Sequence, residues 1–385
     1  MAKKVLSRNI DSKVEKELWA KSAGRCQFNG CNRILYKSPI TQEQVNISEK
    51  AHIYSFAEDG PRGWGNYFTL NPKKLNDIDN LMLVCHDCHK TIDQDTEGLK
   101  YSADLLKKWK QEHEQRIHIV SSIALDKKSH VVFYGANISD QKSIIQKNET
   151  VEAMFPFKYP ADEKPVLLSM TSALKDNDED FWKFESKHLE TIFTKHIEPK
   201  IEENYPADFS LFAMAPMPLL IKLGSLFTDK IVVDTYQPIR EPKTWRWQEE
   251  PNGFLFIINN DERYELEPVL IISLSGKISR DRIIEVTGKD VNIWEMTVPE
   301  EFLHNDFMKA KSQLSLFRSD MRKLMVQINK LHGANQSLKI FPAMPISCAI
   351  ELGRIRMPKS DMPWIIYDQN NLQKKFIKTI TIGEV

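Results

Sequence analysis

The sequence predicts an α+β protein in two parts, a small metal-stapled domain followed by a larger α/β region, and three observations carry that prediction. Four of the five cysteines lie in two close pairs, Cys26-x4-Cys31 and Cys85-x2-Cys88. Beyond a polar step at Asp126-Lys-Lys-Ser129, apolar strand-like runs alternate with helical runs to the end of the chain, the pattern of two Rossmann-like lobes in series. The 385 residues exceed what one small module needs, and at roughly 150 residues per domain they imply two or three units.

The cysteine pairs come first. Thiolates spaced two to four residues apart reach one tetrahedral ion at about 2.3 Å, and two such pairs close a structural Zn²⁺ site. Cys26, Cys31, Cys85 and Cys88 are therefore read as its ligands, against the alternative of four ordinary buried thiols. The opening Met1-Ala-Lys-Lys-Val has no apolar stretch behind its charges, so no secretory signal is expected. Reduced thiols and a cytoplasmic location follow. Between the pairs, Asn46–Ile53 reads as a short strand carrying His52, and Glu58–Gly65 as a turn-rich loop. Asn80 stands before the strand that enters the second pair. His89 begins a helix after it, and Ser102–Trp109 forms a further helix.

The order strand, His, loop, strand, cysteine knuckle, helix over residues 18–120 resembles the ββα-metal, or HNH, nuclease motif. That resemblance places the three signature positions on His52, Asn80 and His89. It implies phosphodiester hydrolysis, in which a histidine near neutral pKa activates water and a divalent cation stabilises charge on the phosphate and the leaving oxygen. His52 takes the role of base, with a satisfied structural histidine as the alternative. His89 and Asp93, four apart on one helix face, are the expected ligands of a catalytic Mg²⁺ or Mn²⁺, and Asp93 serves equally as ordinary helix N-terminal charge. Asn80 is expected to hold the base or its loop in register. Many HNH sites place an acid or His just before the base, whereas this chain has Ala51. Asp77, Asp79, His86 or water are left to complete that metal's shell.

Composition bounds the rest. With 41% hydrophobic and 28% charged residues the chain is an ordinary globular protein, and its longest apolar run, Phe209–Ile221, is broken by Pro216 and Pro218. No membrane span is expected. Lys+Arg and Asp+Glu balance at 53 each, but residues 1–130 hold 21 against 17, so the basic excess sits with the nuclease-like part. Arg62, Lys73, Lys74, Lys107, Lys108 and Lys110 are candidates to meet phosphates. The acidic remainder is a poor surface for duplex DNA.

Beyond the boundary, His130–Gly135 reads as a buried strand with a turn at Asn137, and Asp140–Glu152 as helix-compatible. A helix is expected from Asp180 to Glu198, and strands at Asp208–Met214, Lys230–Tyr236, Phe254–Ile258 and Val269–Leu274. A second helix-rich stretch, Phe307–Leu331, precedes Leu338–Phe341, the apolar run Pro345–Arg354 and Trp364–Tyr367. Cys348 in that run reads as a buried thiol in a strand. No sequence repeat is evident between the lobes.

The segments Leu226–Gln237, Thr244–Trp247, Leu274–Gly276, Leu352-Gly-Arg354 and Tyr367-Asp resemble a SAVED domain, a sensor of two fused CARF-like lobes. HNH joined to SAVED is the layout of antiphage effectors in cyclic-oligonucleotide signalling systems (CBASS). The resemblance implies an HNH domain over 1–125 and a sensor over 130–385, with lobes at about 130–260 and 265–385. It also implies a double-stranded DNA substrate, a cyclic di- or trinucleotide activator, and a homo-oligomer on activation. Flat bases and phosphates call for aromatic platforms beside cations. Tyr236, Arg240, Lys243, Trp245, Arg246 and Trp247 supply that mixture in one lobe, and Arg354, Lys359 and Trp364 in the other. Two other readings stand beside this one: a restriction-type HNH enzyme whose C-terminal domain reads modified DNA, and a zinc-stabilised binding module without catalysis.

Overall fold

A short, mostly polar strand, a wholly buried apolar strand and three helices are what the described residues of 9–124 have to pack, and they pack around the second strand. The computed structural model describes residues 9–57, 60–63, 72–136, 145–168, 176, 178, 180–203, 207–333 and 336–383. It divides into two units, Met1–Ala124 and Leu125–Val385. In the first, α1 (Ser12–Ser22) starts at Asp11, whose carboxylate accepts the Lys13 N–H at 2.7 Å. Strand β1 (Ser48–His52) runs antiparallel to β2 (Leu81–Cys85), with Ser48 opposite Cys85 and His52 opposite Leu81. Helix α2 (His86–Asp93) begins directly from β2, with Cys85 as its N-cap, so His89 lies inside the helix and not at its start as expected. Helix α3 (Ala103–Ser121), capped by Ser102, runs well past the predicted Trp109. Leu18, Leu35, Ile53, Leu83, Ile92 and Leu106 form the core.

The second unit is two lobes of one plan. The first comprises β3 (Lys128–Gly135), α4 (Lys147–Met154), β4 (Tyr159–Pro160), β5 (Val166–Leu167), α5 (Phe181–His196), α6 (Glu198–Glu203), β6 (Asp208–Met214), α7 (Met217–Phe227) and β7 (Val232–Thr235). Its sheet is parallel in the order β4-β3-β6-β7, with β5 also on β3. The second comprises β8 (Ile257–Asn260), β9 (Pro268–Ser273), α8 (Arg280–Thr287), β10 (Asn292–Thr297), α9 (Lys311–His332), β11 (Leu338–Ala343), α10 (Ile346–Ile355), β12 (Trp364–Asn370) and β13 (Lys375–Ile382). Its order is β13-β12-β11-β9-β10-β8, with parallel inner strands and antiparallel outer ones. With β4 and β5, which both pair with β3, taken as one interrupted strand, the parallel strands of both lobes run second, first, third, fourth from each lobe's own start, a doubly wound order with its switch point between first and third.

The repeat absent from the sequence reading is thus present in the structure. Helices α7 and α10 occupy equivalent places, and both begin at a proline N-cap, Pro216 and Pro345. They cross where Gly224 meets Gly353. A Cβ on Gly224 would lie 1.9 Å from the Ile350 carbonyl oxygen, and one on Gly353 would lie 2.0 Å from that of Ile221, a reciprocal contact that only glycine permits. Phe209, Leu219 and Phe227 of one lobe share a core here with Leu270, Ile340 and Trp364 of the other.

Two expectations change. Pro345–Arg354 is helix α10 and not a strand, so Cys348 is a buried thiol on a helix. A helix enclosed on every side has no polar face, so its apolar run carries no 3.6-residue period to read. The strand expected at Phe254–Ile258 forms at Ile257–Asn260 and pairs with β10, so the second lobe takes residues assigned to the first. Glu58, Asp59, Trp64, Gly65, Asn137, residues 140–144 and the side chain of Lys73 lie outside the described residues. No helix among the described residues is long and apolar enough to cross a membrane.

Candidate functional site

The four cysteines come together. Their sulfurs all lie within 4.8 Å of one another, and Cys31 Sγ stands 3.9 Å from Cys85 Sγ. Two thiolates on a tetrahedral ion at about 2.3 Å are themselves about 3.8 Å apart, so the spacing fits Zn²⁺. The Cys85 N–H donates to Cys26 Sγ at 3.3 Å, a hydrogen bond that favours a thiolate. Burial pushes the Cys26 thiol up to about 12 and raises Cys88, which a dication at this point would reverse.

His52 ends β1, half-buried, with its Nε2 3.0 Å from Asn76 Oδ1. Asn80 lies just before β2 and is buried. Its Oδ1 accepts the Tyr54 N–H at 2.8 Å, while its Nδ2 donates to the carbonyls of Tyr54 at 3.1 Å and Leu75 at 2.9 Å. Its own carbonyl takes the Ile53 N–H at 2.9 Å. Three polar groups of Asn80 thus contact the chain that follows His52, at Ile53 and Tyr54, while its N–H goes to the Asp77 carbonyl at 3.0 Å.

His89 and Asp93 face each other one turn apart on α2, Nδ1 to Oδ2 3.2 Å. Among the described residues no third Cys, His, Asp or Glu donor joins them in a cluster. Asp77 and Asp79 are exposed, and His86 is exposed beside Glu49 at 3.4 Å. Ala51 is buried in the core opposite Met82, so that position offers no ligand. The His89–Asp93 pair suits a cation that keeps several waters, as Mg²⁺ does.

Some expected phosphate contacts are otherwise engaged. Arg62 donates to the Ile53 carbonyl at 2.9 Å and to that of Tyr101 at 3.4 Å, holding the loop after His52 from its other side. Lys107 lies 4.4 Å from the centre of the Tyr54 ring and donates to its hydroxyl at 3.1 Å, and Lys110 is buried on Glu114. Lys74 and Lys108 are exposed. Asn76 was not singled out in the sequence, because nothing local separates an asparagine closing a turn from one touching an imidazole.

The sensor candidates need larger corrections. Tyr236 is buried and stacks on Phe212 at 4.3 Å, and Trp245 is buried edge-on to the same ring at 5.3 Å. Trp364 is wholly buried. These three rings are core, so none offers a face to a base. Arg354 is 3% exposed. Its guanidinium contacts Glu351 at 2.9 and 3.1 Å and donates to the carbonyls of Ile231, Val233 and Thr228. Glu351 takes further contacts from Thr235 Oγ1 at 2.7 Å and Arg318 Nε at 3.1 Å. A guanidinium with five contacts to four residues holds the lobes together and has nothing left for a phosphate. Lys243 is exposed and pairs with Glu149 at 3.3 Å, and Arg246 donates to the Glu152 carbonyl at 3.1 Å. Arg240 and Lys359 are exposed, and Trp247 is half-buried against the core. Four of the nine candidates, Tyr236, Trp245, Trp364 and Arg354, are therefore enclosed by the fold.

Residues 26–96 match the HNH endonuclease model, and residues 189–382 match the model described as "SMODS-associated and fused to various effectors sensor domain", SAVED. No match to a curated protein was found. Similar solved structures include the Acinetobacter baumannii Cap4 SAVED/CARF-domain containing receptor with the cyclic trinucleotide 2'3'3'-cAAA, 13% identical with a TM-score of 0.43, covering 82% of this chain and 67% of that one. The same receptor with 3'3'3'-cAAA is 14% identical with a TM-score of 0.43, over 77% and 66%. The Moraxella osloensis Cap4 receptor is 11% identical with a TM-score of 0.38, over 76% and 60%. The chain spans about two thirds of the length of these receptors, or less. With the SAVED model matching half of its residues and an HNH endonuclease domain ahead of it, the chain belongs to the SAVED family, as an HNH nuclease fused to a cyclic-oligonucleotide sensor in the manner of CBASS effectors.

Proposed function

We propose that this chain is a metal-dependent DNA endonuclease switched on when its sensor binds a cyclic di- or trinucleotide and the chain assembles into a homo-oligomer. Residues 1–125 act as the nuclease and 130–385 as the sensor. The observation that carries the reading is the frame around His52: a histidine at a strand end, followed by a chain that Asn80 holds, in the unit that also contains the four cysteines and the His89–Asp93 pair. In this reading His52 takes a proton from water, and the oxygen of that water forms the new bond to phosphorus. Asn80 keeps the loop from drifting. His89 and Asp93 hold a Mg²⁺ or Mn²⁺ ion, which when bound stabilises charge on the phosphate and the departing oxygen. A Zn²⁺ on the four cysteines contributes to folding and takes no part in the reaction.

The duplex substrate is consistent with the basic excess of the first 130 residues, and of the expected phosphate contacts Lys74 and Lys108 are exposed. For the nucleotide, the doubly wound order points to the carboxyl ends of the first and third strands of each lobe. In the second lobe these ends carry Ser275, Gly276 and Met344, where a Cβ on Gly276 would meet only open space. Arg240, Lys243, Arg246, Lys359 and Trp247 are the candidates whose side chains the core does not enclose.

His52→Ala tests the catalytic half. It should lower plasmid cutting by about 10²–10⁴-fold, the usual worth of a general base, with zinc content and nucleotide affinity unchanged. Near-normal cutting would remove His52 from the mechanism.

A further inference from the structure

Each cysteine pair keeps one residue inside the core and one toward the surface. Cys26 and Cys85 are each 1% exposed, whereas Cys31 and Cys88 are half-buried. The outer sulfur of the first pair meets the inner sulfur of the second, Cys31 Sγ to Cys85 Sγ at 3.9 Å. Arg33 lies two residues from Cys31, ion-paired with Asp87 at 2.7 Å, and its charge acts on both Cys85 and Cys31. A sulfur that solvent reaches beside a guanidinium is the kind that peroxides oxidise, because the cation stabilises the hydroxide that leaves. Cys85 is also the N-cap of α2, and Cys88 lies in the first turn of that helix, directly before His89. What happens to these two sulfurs is therefore felt at the start of α2.

We propose that the four-cysteine site is a peroxide-sensitive switch: Cys31 is oxidised first and then joins Cys85 across the two pairs, which releases the bound Zn²⁺ and loosens α2. The oxidation itself needs no assumption about catalysis. Its consequence for cutting rests on the reading of His89 and Asp93 given above.

In the first step the Cys31 sulfur attacks one oxygen of the peroxide, the O–O bond breaks and hydroxide leaves, so the sulfur is oxidised to a sulfenic acid and the peroxide is reduced. In the second, the Cys85 sulfur attacks that of Cys31, an S–S bond forms, the S–O bond breaks and a second hydroxide leaves. Two thiolates and one peroxide thus give one disulfide and two hydroxides. The two sulfurs must close from 3.9 Å to about 2.05 Å, and they no longer serve as thiolate donors. With Cys26 and Cys88 alone the site is not a closed structural one, so the free energy that Zn²⁺ contributed to folding is lost where α2 begins.

The test uses the zinc-loaded full-length protein treated with hydrogen peroxide, with released Zn²⁺ read by a colorimetric chelator. Free thiols are then blocked and the protein is digested with chymotrypsin, which cuts after Phe28, and with a protease that cuts before Asp87, so that all four cysteines fall on different peptides. Zn²⁺ should appear together with a Cys31–Cys85 link, and a thiol reductant with added Zn²⁺ should reverse both. Hydrogen exchange over Cys85–Asp93 should quicken on oxidation. Arg33→Gln keeps every ligand and should slow the release several-fold. Zn²⁺ retained under peroxide, a first link within a pair, unchanged exchange in α2, or an Arg33→Gln variant that releases Zn²⁺ as fast as the wild type each overturns the proposal. None of these readouts depends on DNA cutting, so they are distinct from failure of the nuclease reading, which His52→Ala reports.

Discussion

Arg354 shows how far a residue's type can mislead about its work. An arginine in a Leu-Gly-Arg segment near tryptophans has the composition of a phosphate site, and the same composition builds a buried tie between elements. With Glu351 and three carbonyls around it, and Glu351 held in turn by Thr235 and Arg318, the guanidinium belongs to the fold. Arg354→Ala should therefore leave Glu351 buried with a weakened partner set and cost about 3 kcal/mol of stability, read by urea unfolding. Loss of nucleotide affinity with unchanged stability would restore the phosphate role. His332 is a second buried polar residue with a measurable signature. Its Nε2 accepts the Trp294 indole N–H at 3.2 Å, and burial lowers its pKa. Above the ordinary histidine value of about 6.5 both folded and unfolded rings are neutral and this residue adds no pH dependence. As pH falls below that value the unfolded state takes up a proton that the folded state refuses, so stability drops by at most about 1.4 kcal/mol per pH unit until the folded ring also titrates. Chemical unfolding between pH 7 and 5 should show the drop in the wild type and a shallower one in His332→Gln.

At the scale of elements, the crossing of α7 and α10 is the joint of the sensor, because Gly224 and Gly353 let each backbone touch the other. Gly353→Ala puts a methyl 2.0 Å from the Ile221 oxygen, so the helices must part along their length. The expected cost is about 3 kcal/mol, the upper part of the overpacking range, seen as a lower melting temperature with the zinc site intact. What was legible in the sequence follows the range of the interactions involved. Cys26, Cys31, Cys85 and Cys88 were legible because ligand spacing is local, and β6 was found at its observed bounds because Pro216 interrupts the apolar run Phe209–Ile221 just beyond Met214. Helix α10 was misread because burial on all sides erases periodicity. Tyr236, Trp245 and Trp364 were assigned to a pocket because aromatic and basic residues close in sequence do not disclose which face of a sheet they occupy. The Asn76–His52 contact, 24 positions apart, was invisible for the same reason.

For the whole molecule, the account joins a nuclease to a sensor, and the coupling between them is a free-energy statement. A ligand shifts an equilibrium only by its difference in affinity for the two states, so a nucleotide that activates must bind the active assembly more tightly than the resting chain. A hundredfold change from inactive to active demands a comparable ratio of affinities, and a nucleotide that binds both states alike will bind without effect. The measurement that tests this most directly is the initial rate of supercoiled plasmid cutting by the full-length protein in Mg²⁺ or Mn²⁺, across a panel of cyclic di- and trinucleotides, with sedimentation followed on the same samples. The account predicts little cutting without nucleotide, and a large rise with a cognate ring that coincides with a rise in mass. Equal cutting with and without every nucleotide, or cutting switched on at constant mass, would contradict it.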